Sequence, residues 1–177
     1  MKIVTSWGPK GWDLYGKKFL ESTRLWDDNI SLTIYVDGMD PAEITCHRAI
    51  TVKKLEEVEG FLEFRAKHPD KNGETPEGYN FRLDALKFCA KVFALHDVAR
   101  DPEPFLWLDG DVITKKPLTT DWLRGICKGH VTHLGRKGIN YSETGFIYFA
   151  GNEGRTIIAD MYDIYMSGEI FNYAEWT

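Results

Sequence analysis

The chain has 177 residues, a net charge of −5, and 43% hydrophobic and 14% aromatic residues. That length suits one folded domain spanning 1–177, and the apolar content argues against disorder. The acidic balance leaves no basic footprint for nucleic acid or an anionic membrane surface, and no apolar run approaches the roughly 20 residues of a transmembrane helix.

The amino terminus is broken by Gly8 and Pro9 too early to serve as a signal peptide. Cys46, Cys89 and Cys127 are odd in number and lie in no metal-type pair, which reads as reduced thiols, two of them in the core, and a cytoplasmic setting. Lys2 to Ser6 is expected to form a strand, and a helical pattern from about Gly11 to Trp26 places Leu14, Tyr15, Phe19 and Leu20 on one side. Ser31 to Val36 is rich in β-formers and stops at Asp37-Gly38, so strand, helix and strand predict a βαβ unit.

Residues 41–50 read as irregular, Val52 to His68 as helical, and Pro69 to Gly78 as a polar loop, either a mobile lid or a solvated connection. From Asn80, a plausible N-cap, to Ala99, Phe81, Ala85, Phe88, Val92, Leu95 and Ala99 recur at helical spacing. Arg82, Asp84, Lys87 and Lys91 lie beside that stripe. Lys87 and Lys91, one turn apart, repel each other unless an anion lies nearby; the alternative is a solvated face with a partial Asp84–Lys87 pair. Thr120 is expected to cap a short helix containing Trp122, and Val131 to Leu134 to form a strand. A loop from Tyr141 to Gly145 then leads into the strand 146–149, and a last helix runs from about Glu153 to Met166, ending at Gly168. His130 and His133 would face opposite sides of a strand, which suits structural histidines better than paired ligands.

Between these helices runs Phe105-Leu106-Trp107-Leu108-Asp109-Gly110-Asp111-Val112-Ile113. Four apolar residues ending in two acids one residue apart predict a buried strand delivering carboxylates to its carboxyl end. Alternation puts Asp109 and Asp111 on one face, and Gly110 lets a ligand approach the backbone. Two such acids repel by up to about 4 kcal/mol at an effective dielectric of about 20, a cost a divalent cation removes. The alternative is a solvated turn.

This order of elements, with the Arg82-Leu83-Asp84-Ala85-Leu86-Lys87-Phe88 segment, the Asp109-Gly110-Asp111 strand end and the later Glu143-Thr144-Gly145-Phe146 strand, resembles a GT-A-type nucleotide-diphospho-sugar transferase. The likeness covers most of 1–150 and is to a compact form seen among small bacterial and viral glycosyltransferases. It implies an α/β, Rossmann-like domain with a mixed, mainly parallel central sheet flanked by helices, in a host cytoplasm if the source is viral. It also implies that Asp109 and Asp111 bind Mn²⁺ or Mg²⁺ bridging the donor diphosphate, with Gly110 between them.

By the same resemblance Thr5, Ser6 and Trp7 hold the nucleotide, Trp7 stacking on the base, and Asp37 bonds the base or ribose. Arg82 and Lys87 face the donor phosphates, and Glu143 and Thr144 lie at the transferred sugar or acceptor, with Glu143 as base if the reaction inverts. The expected donor is a nucleotide sugar, a UDP-sugar in the first instance; the acceptor, whether glycan, protein or small molecule, is not specified. Relatives of this kind supply a third metal ligand after the late helix, where this chain reaches only Tyr173-Ala174-Glu175-Trp176-Thr177, so a minimal or truncated form is expected. Two rivals remain: a non-catalytic nucleotide-sugar or glycan-binding module, and a haloacid dehalogenase-like phosphatase in which Asp109 is the nucleophile and Asp111 the acid/base, with Thr114 nearby.

Overall fold

The structure, a computed structural model, describes residues 1–135, 138 and 143–175, and at Glu143 the strand placement alone. β1 (Lys2–Trp7) and β2 (Ser31–Val36) pair in parallel from Lys2↔Ser31 to Trp7↔Val36, as the two apolar runs suggest. Between them a helical segment over 9–25, called α1, changes pitch along its length. An α-turn (Pro9–Gly11) passes into a π-helical turn (Trp12–Gly16), an α-helix (Lys17–Ser22) and a final 3-10 turn (Thr23–Leu25).

Beyond β2 the structure departs from the expected helix over 52–68. Ile50–Lys54 is a third parallel strand, β3, followed by a 3-10 turn (Leu55–Glu57), and helix α2 occupies only Phe61–Lys67. Alternating exposure explains β3: Thr51 and Lys53 face solvent while Val52 is half-buried. Residues 69–78 are not simply a loop either, because β4 (Asn72–Thr75) and β5 (Gly78–Asp84) form a separate antiparallel hairpin. Helix α3 therefore starts at Ala85 and ends at Val98. Its N-cap is Asp84, whose carboxylate accepts the Lys87 amide proton at 2.9 Å, in place of the expected Asn80.

β6 (Phe105–Leu108) is buried throughout. α4 (Thr120–Ile126) follows, with Thr119 rather than Thr120 as the capping side chain, and then β7 (Val131–Leu134) and β8 (Glu143–Phe149). α5 (Gly151–Ser167) closes on Gly168 in the left-handed conformation, as its position predicts. The sheet order is β3-β2-β1-β6-β8-β7, with β8 antiparallel to β6 and β7.

Two apolar cores lie on the sheet's opposite faces. Val4, Trp107 and Phe105 meet α2, α3 and α5 on one, while Ile3, Trp7, Leu106 and Leu108 meet α1 and α4 on the other. Chain order reverses between β1 and β6, and in open α/β sheets the ligand crevice lies outside the carboxyl ends of the strands at such a point. Among the described residues, no helix is long and apolar enough to cross a membrane.

Candidate active site

At the reversal point the strand expected to carry both acids stops at Leu108. Asp109 to Val112 then make a turn closed by the Val112 amide on the Asp109 carbonyl at 3.0 Å. Strand alternation consequently extends only to Asp109, which follows Trp107 toward α3, while Asp111 is placed by the turn and is exposed. The Asp109 amide donates to the Gly145 carbonyl (2.9 Å), anchoring the turn to β8. On the other side the Trp7 indole N–H donates to the Gly110 carbonyl (3.0 Å), and a Cβ on Gly110 would lie 2.0 Å from that nitrogen. Glycine is needed there because the indole occupies the side-chain position.

One oxygen of Asp109 is already engaged. Its Oδ1 accepts from Lys91 Nζ at 2.9 Å and from the Trp107 indole N–H at 2.6 Å. Lys91 also donates to the Thr144 carbonyl at 2.5 Å and lies 5.2 Å from the Trp107 ring centroid. Tyr15, on the π-helical turn of α1, is near enough to respond to the acids: burial first, then the charges of Asp111 and Asp109, raise its phenol pKa.

Two further carboxylates lie along the same carboxyl edge. Asp37, after β2, is clamped by Arg65 of α2, whose Nη1 donates to both carboxylate oxygens at 2.7 and 2.8 Å. Glu56, after β3, accepts the Gly38 amide proton at 2.5 Å.

The expected site residues separate into those the structure gathers and those it does not. Asp109, Gly110, Asp111 and the Thr144 backbone converge. Ser6 lies close beneath, its carbonyl 3.0 Å from where a Gly110 Cβ would be. Thr5 is fully buried, and Trp7, 3% exposed, packs against Trp12 and Phe19, so both sit in the layer that supports the turn. Lys87 is exposed one turn from Lys91 with its ammonium over the Phe88 ring. Arg82 belongs to β5 and pairs with Glu175 at 2.6 Å, not with the helix face that carries Lys91. Glu143 opens β8; its side chain and residues 141–142 lie outside the described residues.

Lys91, Arg65, Glu56 and Tyr15 were not singled out as site residues. The crowding of Lys87 and Lys91 was the available signal, and Lys91 does lie against an anion, the Asp109 carboxylate. Among the described residues no three His, Cys, Asp or Glu side chains group as a ready metal cage, and His130 pairs with Glu153 at 3.1 Å. A cavity of about 580 Å³ lies between α1 and the β2–β3 connection, lined by Trp12, Arg24, Glu43 and His47 among others and by neither Asp109 nor Asp111.

The six-stranded, mainly parallel sheet flanked by helices matches solved structures of GT-A glycosyltransferases, so the chain has the GT-A fold. Mouse xyloside xylosyltransferase 1 matches over 99% of this chain and 77% of its own, with a TM-score of 0.55 at 10% identity. The glycosyltransferase GlyE of Streptococcus pneumoniae matches over 98% of this chain at a TM-score of 0.61 and 12% identity, and the chain spans 40% of GlyE's length. The PaToxG glycosyltransferase matches over 98% of this chain and 61% of its own, with a TM-score of 0.53 and 11% identity. No protein-family model and no curated protein matches the chain.

Proposed function

We propose that the protein is a glycosyltransferase, moving a sugar from a nucleotide-diphosphate donor, a UDP-sugar in the first instance, to an acceptor of unspecified class. The observation that carries this is the pair of carboxylates, Asp109 and Asp111, in a turn at the sheet's reversal point. Hard oxygen donors of this kind suit Mn²⁺ or Mg²⁺. Lys91 and Trp107 occupy Asp109 Oδ1, so Asp109 Oδ2 and the exposed Asp111 are the groups that would hold a cation. A bound divalent ion would supply positive charge against the departing diphosphate.

The chain's own residues prepare for the same charge. In transfer, an acceptor oxygen bonds the anomeric carbon as that carbon's bond to the diphosphate oxygen breaks, and the electron pair leaves on the diphosphate. Lys91 holds a cation beside that leaving group, positioned before the reaction by Asp109, the Thr144 carbonyl and the Trp107 ring. Lys87 extends the cationic face by one turn, and Arg65 supplies a guanidinium at the nucleoside end. Glu143 is the proposed base for an inverting reaction, on its position at the head of β8.

The experiment is a thermal-shift panel of nucleotide sugars with Mn²⁺, Mg²⁺ or EDTA, followed by assay of released nucleotide diphosphate. Metal-dependent stabilisation by UDP or a UDP-sugar, with UDP release, is expected. Asp111→Asn is expected to abolish the metal-dependent part of the shift while the unliganded melting temperature holds.

The absence of a third acidic or histidine side chain beside the two aspartates, among the described residues, favours a second reading, a binding module without turnover. Stabilisation with no product would support it. Phosphate release from simple phosphoesters would instead support a phosphatase, although Thr114 is engaged by the Trp26 indole N–H at 2.7 Å and Asp160 and Asp163 fall inside α5.

A further inference from the structure

The cavity between α1 and the β2–β3 connection shares no lining residue with the acidic turn, and the reaction proposed above makes no use of it. At about 580 Å³ it falls within the roughly 300–1,000 Å³ of small-ligand sites. One wall is Trp12, half-buried in the π-helical turn of α1, a kind of irregularity that recurs at functional sites. Its ring is fixed by its neighbours: a Cβ on Gly16 would lie 2.6 Å from it, and the Trp7 ring packs against it with centroids 5.8 Å apart. A wall already held in place loses little side-chain entropy when a ligand arrives.

The polar lining carries both signs. The side chains of Glu21, Arg24 and Glu43 make no hydrogen bond or ion pair among the described residues, and neither does the Trp12 indole N–H. Lys17 is tied to Asp13 at 2.9 Å, with its Nζ 5.8 Å from the Trp12 ring centroid, so it adds a cation beside that ring. Two carboxylates thus stand with two cations, and a ligand of net charge gains from one pair what it loses to the other. A neutral sugar suits all of these groups. Each hydroxyl both donates, as a carboxylate requires, and accepts, as a guanidinium, ammonium or indole N–H requires, while the C–H face of the ring lies against the aromatic wall.

We propose that this cavity is a carbohydrate-binding site apart from the crevice, and that its ligand is an uncharged oligosaccharide. The inference does not rest on the nucleotide reading, and metal-dependent nucleotide binding stands or falls separately.

The test is a ¹H–¹⁵N correlation titration in EDTA without nucleotide. The probes are three neutral trisaccharides (maltotriose, cellotriose and triacetylchitotriose), two charged ones (trigalacturonate and free-amine chitotriose), and UDP. At least one neutral trisaccharide is expected to move the Trp12 indole N–H signal, identified by its absence from Trp12→Phe, together with amides of residues 43–47. The shifts should saturate with a dissociation constant of about 1 mM or below, and the charged probes should bind at least roughly tenfold more weakly. Arg24→Ala and Glu43→Ala, both at exposed positions, should keep the folded spectrum yet weaken binding roughly tenfold each. Absence of a saturable shift with all three neutral probes overturns the site, as does unchanged affinity in both alanine variants. Equal or tighter binding of the charged trisaccharides or of UDP at the same signals overturns the assignment to uncharged sugars.

Discussion

Gly110 and Lys91 show how much of the site depends on single atoms. A methyl group at 110 would meet the Trp7 indole nitrogen at 2.0 Å, and that indole is locked between Trp12 and Phe19. Gly110→Ala is therefore expected to destabilise the fold by about 1–3 kcal/mol, lowering the melting temperature by several degrees in calorimetry. It should also weaken metal-dependent nucleotide binding, because the turn that carries both acids must move.

Lys91 acts through charge. Lys91→Met removes a preorganised cation and is expected to lower the rate of nucleotide-diphosphate release roughly 100-fold in a turnover assay, with Lys91→Arg less impaired. The sequence displayed Asp109, Gly110 and Asp111 openly, since an apolar run meeting two acids is a local signal. It did not display the partnership with Lys91, 18 residues away, or the Arg65 clamp on Asp37, 28 residues away, because side-chain pairing across elements leaves no periodic trace.

At the scale of elements, β1, β2 and the end of α5 followed directly from local pattern, whereas α3 did not begin where its apolar stripe seemed to begin. Phe81 fits both helical spacing from Ala85 and strand alternation with Tyr79 and Leu83. Pairing with β4 decides for the strand. The true start is fixed by Asp84, which caps the Lys87 amide and also accepts from the Tyr79 hydroxyl at 2.8 Å, tying the hairpin to the helix. Asp84→Ala is expected to cost about 0.5–2 kcal/mol in chemical denaturation for the cap alone. Deeper in α3, Phe93 is fully buried with its ring edge-on to Phe61 and Tyr162, and Phe93→Ala is expected to cost about 3–5 kcal/mol by the same measurement. β3 escaped notice for a related reason: an edge strand with lysines needs only one apolar side, and its short alternation runs straight into the pattern of α2.

For the whole molecule, the two cores bury groups that must ionise when the chain unfolds in alkali. Burial pushes the Cys89 thiol up to about 12 and the Cys127 thiol up to about 11, and it raises the Tyr35 and Tyr165 phenols as well. Folded-state values above the unfolded ones mean that the native chain holds more protons at high pH. This stability is fully present below the ordinary thiol pKa and drains away as pH rises beyond it. Asp97 behaves oppositely: burial alone would raise it, but hydrogen bonds from Lys53 and Tyr35 outweigh that and hold it below the usual carboxylate range. Its contribution is present above that range and lost as pH falls through its lowered value. Denaturation midpoints are expected to be flat between about pH 5 and 8 and to fall above about pH 9, with a shallower alkaline slope in Cys89→Ala.

Among the described residues the six-stranded sheet does not close, and its outer strands are β3 and β7. β7 is only four residues long, and β3 ends in Lys54, whose charge repels the same residue on the edge of a second molecule. Lys54→Val should leave the protomer folded by circular dichroism yet raise light scattering in concentrated solution, because molecules could then zip together edge to edge.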